Sequence, residues 1–465
     1  MKAKFFFAAL LMVGASLMVN GQGYKDGIEY YKVNRYDNAK ELLERNLNAS
    51  STNKSETYYY LGQIALHEGN TSAAASYFDK GIAANANEPL NYVGKAELAL
   101  KSGAKADDFF KQARKLSKKD AKLEVEIARA YYRANPVKFD KDVKKCLKQA
   151  MKWNAQEPDI SIMQADMYVD QSNYEEATGF YEWGFNYDPK NTEAYVKYAE
   201  AYSHLNPEYS IQRLEEGLQH NPNSALLQRC LADMYYDESR VNDAIRQYNV
   251  LINNPNHFPQ DEMRYMQMML ISGQNQEAVN YGESRVAALP ASDPNVFYFH
   301  RMLLYSNVAM EAMDKGVAEG KILFSTTPTM GGSYTARDYS DYGKALIASG
   351  DTVGAINVYG QGTQKFKDNA DLMEGLARAY QVSHRTEDAV NIYQQLVDKD
   401  IANDNSKFQL AVLNYRLASS ATDVATRLDY AQKAKAAFDK LPEYVRTQEV
   451  AVDLLNSINN MISGN

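Results

Sequence analysis

From about residue 22 onward the chain repeats one short pattern of small, apolar and polar positions. A small residue, often followed three positions later by an aromatic, recurs within helix-like stretches at Gly27, Gly62, Gly94, Ala128, Ala165, Ala199 and Ala232. The series weakens at Met266 and Arg301 and returns at Gly343, Ala377 and Ala411, with a step of about 34 residues. Twelve positions after the first small residue comes a second in most repeats: Ala39, Ala74, Ala106, Ala244, Ala278, Ala355 and Ala389, with Ala177 the matching residue of its unit. Four residues further on stands a larger side chain in most repeats, namely Leu43, Phe78, Phe110, Tyr181, Tyr248, Tyr359 or Tyr393. An interval of four keeps two side chains on one helical face. Each unit is therefore predicted to be a pair of amphipathic helices, A and B, whose small residues allow close approach while the large ones fill the gap. Pro89, Pro158, Pro189, Pro222, Pro255 and Pro290 stand where helix B should end.

Two units show the pattern most fully: Gln164-Ala165-x-x-Tyr168…Tyr174-x-x-Ala177-x-x-x-Tyr181…Pro189, and Leu376-Ala377-x-x-Tyr380…Ala389-x-x-x-Tyr393. This pattern resembles the tetratricopeptide repeat family. The resemblance runs from near residue 23 to near 440 and implies an all-α superhelical solenoid of about 12 tetratricopeptide-like helix pairs, about nine in 22–325 and the rest in 326–442. Residues 443–465 read as a C-terminal capping helix, a single one over Glu443–Ile462, which would cover the exposed end of the stack. Pro136 lengthens the turn of the fourth unit, and Arg301 and Met313 replace small residues in the ninth. Ser325–Ser333 has the loosest composition in the chain and reads either as a hinge between two halves or as a longer surface loop.

Ahead of the repeats, Lys2 and Lys4 precede an apolar run from Phe5 to Met18, which predicts a secretory signal over 1–21 cut between Gly21 and Gln22. No cysteine lies near that cut, so a lipid anchor there is not expected. No later run of ~20 apolar residues predicts a second membrane segment. The expected location is the periplasm, with association to the outer membrane as the variant. The signal followed directly by Gln, with the richness in Tyr and Asn, resembles exported tetratricopeptide proteins of the Bacteroidetes.

Composition narrows the chemistry. With 45% hydrophobic and 24% charged residues the chain is globular, and 35 of its 53 aromatics are tyrosine. Cys146 and Cys230 fall three repeats apart, roughly 30 Å at ~10 Å per stacked pair, whereas a disulfide needs Cα atoms within ~7 Å. Two free, buried thiols are expected. The six histidines fall in six different units, and His67-Glu68 lacks the second histidine of a zinc helix. No G-x-S-x-G elbow or P-loop occurs, and Tyr359-Gly360-Gln361-Gly362 lies in a predicted helix B, where its glycines are packing positions. No enzyme activity, cofactor or metal is predicted, and the net charge of −8 disfavours nucleic acid.

In the family, the face of helix A opposite the small residue lines a concave groove where partners lie. Its positions, three before and one, four and five after the small residue, give Arg129, Tyr132 and Arg133, with Lys122 one turn earlier on the same helix. The next units give Asp166, Asp170, Glu200, Asp233, Tyr236 and Asp237. Residues 101–155 hold 16 Lys and Arg against 7 Asp and Glu, a local +9 in a chain whose remainder is strongly acidic. A basic step beside an acidic strip could orient an extended peptide by its charges. The plainer reading makes many of these residues solvated surface, Lys111, Lys115, Lys118 and Lys119 above all. The resulting expectation is a non-catalytic scaffold or assembly factor that binds a protein or peptide in the bacterial cell envelope, of open oligomeric state. The alternative is a carbohydrate-uptake or cell-wall accessory protein whose tyrosines stack on sugar rings, which requires several exposed tyrosines clustered on one surface.

Overall fold

A computed structural model describes residues 23–328 and 332–464; the expected signal, 1–21, lies outside them. The described residues form 26 helices and no strand. They fall into two compact units, which meet in sequence between Glu262 and Met263.

Unit 1 holds seven helix pairs: α1 (Gly23–Lys32) and α2 (Tyr36–Asn46), α3 (Lys54–His67) and α4 (Thr71–Ala84), α5 (Leu90–Lys101) and α6 (Asp107–Leu116), α7 (Ala121–Ala134) and α8 (Asp140–Trp153), α9 (Pro158–Val169) and α10 (Tyr174–Tyr187), α11 (Thr192–Tyr202) and α12 (Pro207–His220), α13 (Ala225–Asp237) and α14 (Val241–Leu251). α15 (Pro259–Ile271) spans the boundary in sequence. Unit 2 continues with α16 (Asn275–Ala288), then the pairs α17 (Val296–Ala309) and α18 (Met313–Ser325), α19 (Ala336–Ala348) and α20 (Thr352–Lys365), α21 (Ala370–Val382) and α22 (Thr386–Asp398), α23 (Asp404–Ser420) and α24 (Val424–Asp439). The expected single terminal helix is two, α25 (Glu443–Arg446) and α26 (Glu449–Ser463). Gln448 between them has extended backbone, and the bend lets Val445, Leu454 and Leu455 all reach the core formed by Tyr393, Leu410 and Phe438.

The large residue of helix B sets the stacking distance. Phe78 on α4 is fully buried between Gly62 of its own repeat and Gly94 of the next, and a Cβ at either glycine would overlap its ring. Tyr359 on α20 lies in the same way between Gly343 and Gly375. Where this residue is tyrosine, its hydroxyl needs an acceptor. Tyr181 donates to Asp166 at 2.7 Å, Tyr248 donates to Asp233, and Tyr359 donates to the Ser340 carbonyl at 3.1 Å. The richness in asparagine has an equally local cause. Asn70, Asn191, Asn206, Asn369 and Asn403 each cap the helix that follows, accepting a backbone N–H three residues on at 2.8–3.1 Å.

The turn from helix A to helix B is a second periodic feature, one that side-chain character did not reveal. In nine of these turns one residue takes left-handed backbone: Gly69, Gly103, Gly273 and Gly350, but also Asn34, Ser172, Ser239, Glu311 and His384. Arg301, the misfit of the ninth unit, is buried in an ion pair with Asp338, with both bonds 2.9 Å long, and donates to the Ser333 carbonyl at 2.8 Å. Tyr334 stacks on Phe324 with ring centroids 4.8 Å apart, so both described flanks of the 325–335 segment are fastened within unit 2.

Gly94→Val should destabilise the protein by about 1–3 kcal/mol in chemical denaturation, because the enclosed Phe78 ring has nowhere to retreat. Adding Phe78→Leu should recover part of that loss.

Candidate functional site

Unit 1 closes on itself. α1 packs against α2 and α3 and also against α11 and α13, so the inward faces of six helices, α1, α3, α7, α9, α11 and α13, are brought together. Between α1, α3, α7, α9 and α11 lies a cavity of about 370 Å³. Its wall includes Tyr31, Lys32, Tyr36, Tyr60, Glu126, Met163, Met167, Tyr181, Glu193 and Lys197 together with six residues read from the sequence: Arg129, Tyr132, Arg133, Asp166, Asp170 and Glu200. The other four lie elsewhere. Lys122 and Asp237 are exposed, Tyr236 is half-buried, and Asp233 receives the Tyr248 hydroxyl.

The residues that the sequence reading missed have a simple register. Tyr60, Glu126, Met163 and Lys197 each stand two positions before the small residue of their helix. That position lies one turn from the +1 site (Arg129, Asp166, Glu200), which in turn is one turn from the +5 site (Lys32, Arg133, Asp170), so the three form one stripe. Choosing −3 instead of −2 left this part of the wall unread.

The basic step and the acidic strip face and pair with each other. Arg133 donates to Glu97 at 2.9 Å and to Glu126 at 2.8 Å, and Tyr59 donates to Glu126 at 2.6 Å. Arg129 bonds Glu126 at 3.3 Å, and its other terminal nitrogen stands 3.7 Å from Glu193 and 3.9 Å from Asp159. Lys197 bridges Asp166 at 2.8 Å and Glu193 at 2.9 Å, and Lys32 approaches Glu193 at 3.3 Å. The chain of pairs runs through α5, α7, α9, α11 and α1 with four cations and five carboxylates. Burial opposes ionisation of Glu126, and Arg133 and Arg129 overcome it, holding the carboxyl down to about 2. The outer end of the cavity is looser: Tyr132 donates to the exposed Asp170 at 2.7 Å, and Arg35 pairs with the exposed Glu200 at 3.2 Å.

Cys146 and Cys230 are free and buried, and burial pushes both thiols up to about 12, far from the thiolate a nucleophile needs. Among the described residues no group of three His, Cys, Asp or Glu is placed to hold a metal ion, and no helix is long and apolar enough to cross a membrane. Among them, too, Tyr174, Tyr187 and Tyr444 are the exposed tyrosines, two at the ends of α10 and one on α25. The clustered tyrosine surface that sugar binding requires is not formed by these.

Residues 24–89 and 346–405 match models of the tetratricopeptide repeat, and residues 206–255 match that of YpiA-like tetratricopeptide repeats. No curated protein matches the chain. Among solved structures, the C-terminal part of a TPR repeat-containing protein from Cytophaga hutchinsonii is 15% identical, with a TM-score of 0.43 over 56% of this chain and 99% of that one. A tetratricopeptide repeat protein from Parabacteroides merdae is 12% identical, with a TM-score of 0.36 over 56% and 99%. PilW, a type IV pilus biogenesis factor, is 18% identical, with a TM-score of 0.34 over 46% and 96%.

Arg133→Met should destabilise unit 1 by up to about 3–5 kcal/mol, since it takes the nearest cation from buried Glu97 and leaves Glu126 with Arg129 and Tyr59 alone. The sign with pH follows from the depressed Glu126 carboxyl. Its stabilising contribution is complete above the ordinary value of 4.5 and is lost as pH falls toward about 2. Urea titrations of the two proteins between pH 7 and pH 3 should show the wild-type advantage shrinking as the solution is acidified.

Proposed function

We propose that this chain, a tetratricopeptide-repeat protein, is a non-catalytic scaffold that holds a protein or peptide partner in the cell envelope of a Gram-negative bacterium, reached through the signal at 1–21. Tetratricopeptide repeats serve protein–protein interaction, and three stretches spread along the chain match them. The observation that supports a binding role for unit 1 is the cavity itself. Its wall combines tyrosine and methionine surface with fixed charges, the mixture of apolar area and few placed polar groups that ligand-holding clefts have.

Within that wall the deep charges are committed to one another, and a partner would exchange contacts at the looser end. Tyr132 and Asp170 offer an aromatic face and a carboxylate joined by one exposed hydrogen bond. A partner segment carrying a basic residue beside an apolar one fits that pair. The deep pairs would then serve to hold the wall in shape, since taking them apart leaves buried charge uncompensated.

Envelope proteins captured by the chain without its signal should include at least one whose recovery drops roughly tenfold or more with Tyr132→Ala plus Asp170→Lys, the effect of losing interface contacts worth about 1.4 kcal/mol or more. Unchanged thermal stability of the double variant would tie the loss to the surface. Equal recovery by both proteins contradicts the assignment of this cavity.

A further inference from the structure

The contacts that close unit 1 are of two kinds. Toward its C-terminal end, the first helix pair is held by charge: Lys32 lies 3.3 Å from Glu193 and Arg35 lies 3.2 Å from Glu200. One and two turns earlier, α1 presents two carboxylates, and these meet neutral groups. Asp26 accepts from the Asn256 amide at 2.5 Å, across 230 residues of sequence. Glu29 accepts from Thr192 at 2.8 Å and from Ser224 at 3.0 Å. Asp26 is 9% exposed and Asn256 is 7% exposed, so the first of these contacts is largely shielded from solvent.

We propose that the first helix pair, α1 with α2, is a proton-sensitive latch that closes unit 1 onto α11, α13 and the Asn256 turn, and that it closes more tightly as pH falls through neutrality. Two carboxylates one turn apart repel when both are ionised, and an amide and two hydroxyls do not neutralise them. Burial and the Glu29 charge push the Asp26 carboxyl up to about 7, against the opposing pull of Asn256 and Arg45. Burial raises Glu29 as well, opposed by Thr192, Ser224 and Lys32.

The surroundings leave Asp26 as the group that switches. Lys25 and His220 line the small cavity that Asp26 and Glu29 also border. Arg45 comes from α2, and Arg229 of α13 stacks over Tyr30 while paired with Asp261. From α11, Glu193 is bound to Lys197 and faces Lys32, and from α3, Glu56 receives the attraction of Lys25 and Lys32. Two other groups here have ordinary ranges near neutrality: His220, and His257 beside Asn256 in the turn, where burial opposes its charge and Glu262 at 2.9 Å and the Asn254 carbonyl raise it.

The sign follows from the two states. In an open latch Asp26 is solvated and returns to its ordinary value of 3.8, whereas closed it binds a proton up to about 7. Closing therefore takes up a proton between those limits, and the advantage disappears as pH rises through 7. Between pH 8 and pH 6 the closed-to-open ratio should rise roughly tenfold. The ionic contacts of Lys32 and Arg35 keep their charges over this range and give a constant background. Because α1, the turn after it and the start of α2 supply Tyr31, Lys32, Asn34 and Tyr36 to the wall of the larger cavity, opening the latch would remove one side of it. That consequence rests on the reading of the cavity as a binding site; the latch itself does not.

Hydrogen exchange of the full chain without its signal, measured from pH 6 to pH 8 with no partner present and corrected for intrinsic rates, tests the latch separately from partner capture. The opening constant of α1 should rise about tenfold toward pH 8, while His220→Gln and His257→Gln each keep that step and Asp26→Asn, a neutral side chain of the same shape, abolishes it and leaves α1 closed throughout. Corrected protection of the wild type that does not change with pH would overturn the proposal, as would an unchanged step in Asp26→Asn or its loss in His220→Gln or His257→Gln. If Asp26→Asn does not fold, Asn256→Ala replaces it: removing the acceptor's partner should loosen α1 at both pH values, and α1 no looser than in the wild type would equally overturn the latch.

Discussion

Closing seven helix pairs into a ring removes water from the side chains that face inward, and a charge that loses its water must find an opposite charge or give up its ionisation. Unit 1 does both. Arg133, Arg129, Lys32 and Lys197 alternate with Glu97, Glu126, Asp159, Glu193 and Asp166 along the inner faces. At the other end of α1, Asp26 meets an amide and is raised to about 7.

The ring can close because the stacking beneath it is tight. Phe78 between Gly62 and Gly94 fixes the distance from one repeat to the next, and tyrosines at the equivalent site add a hydrogen bond to the helix they press against. Asp166 shows how the two levels share residues. It accepts from Tyr181 within its own repeat and from Lys197 of the next, so one carboxylate belongs both to the packing and to the inner charge chain. A polar residue that reads as a free binding group in one unit is spent on holding two units together.

The repeat, the small positions of helix A and the large residue of helix B were legible in the sequence because each recurs at a fixed spacing. Six of the ten residues read for the groove face fall on the cavity wall, at +1, +4 and +5 from the small residue, but Asp233 and Asp237, at +1 and +5 of the seventh repeat, do not. Ring closure was not legible: Glu29 meets Thr192 and Ser224 across 163 and 195 residues, and those partners share no pattern with it. Arg301 shows the same limit from the other side. It looks like an error in the period until Asp338, 37 residues on, supplies its partner. The break at Gln448 was hidden as well, because Glu443–Ile462 is helix-forming throughout and only the shape of the core demands the bend.

The central claim is that the first helix pair rests on the sixth and seventh. Spin labels placed at the exposed Lys25 and Asn223, which border one small cavity from opposite sides of the closure, measure it directly. Pulsed dipolar spectroscopy at pH 6 should give one narrow distribution at the short end of the measurable range. A broad distribution, or one centred at long distance, would contradict a closed ring.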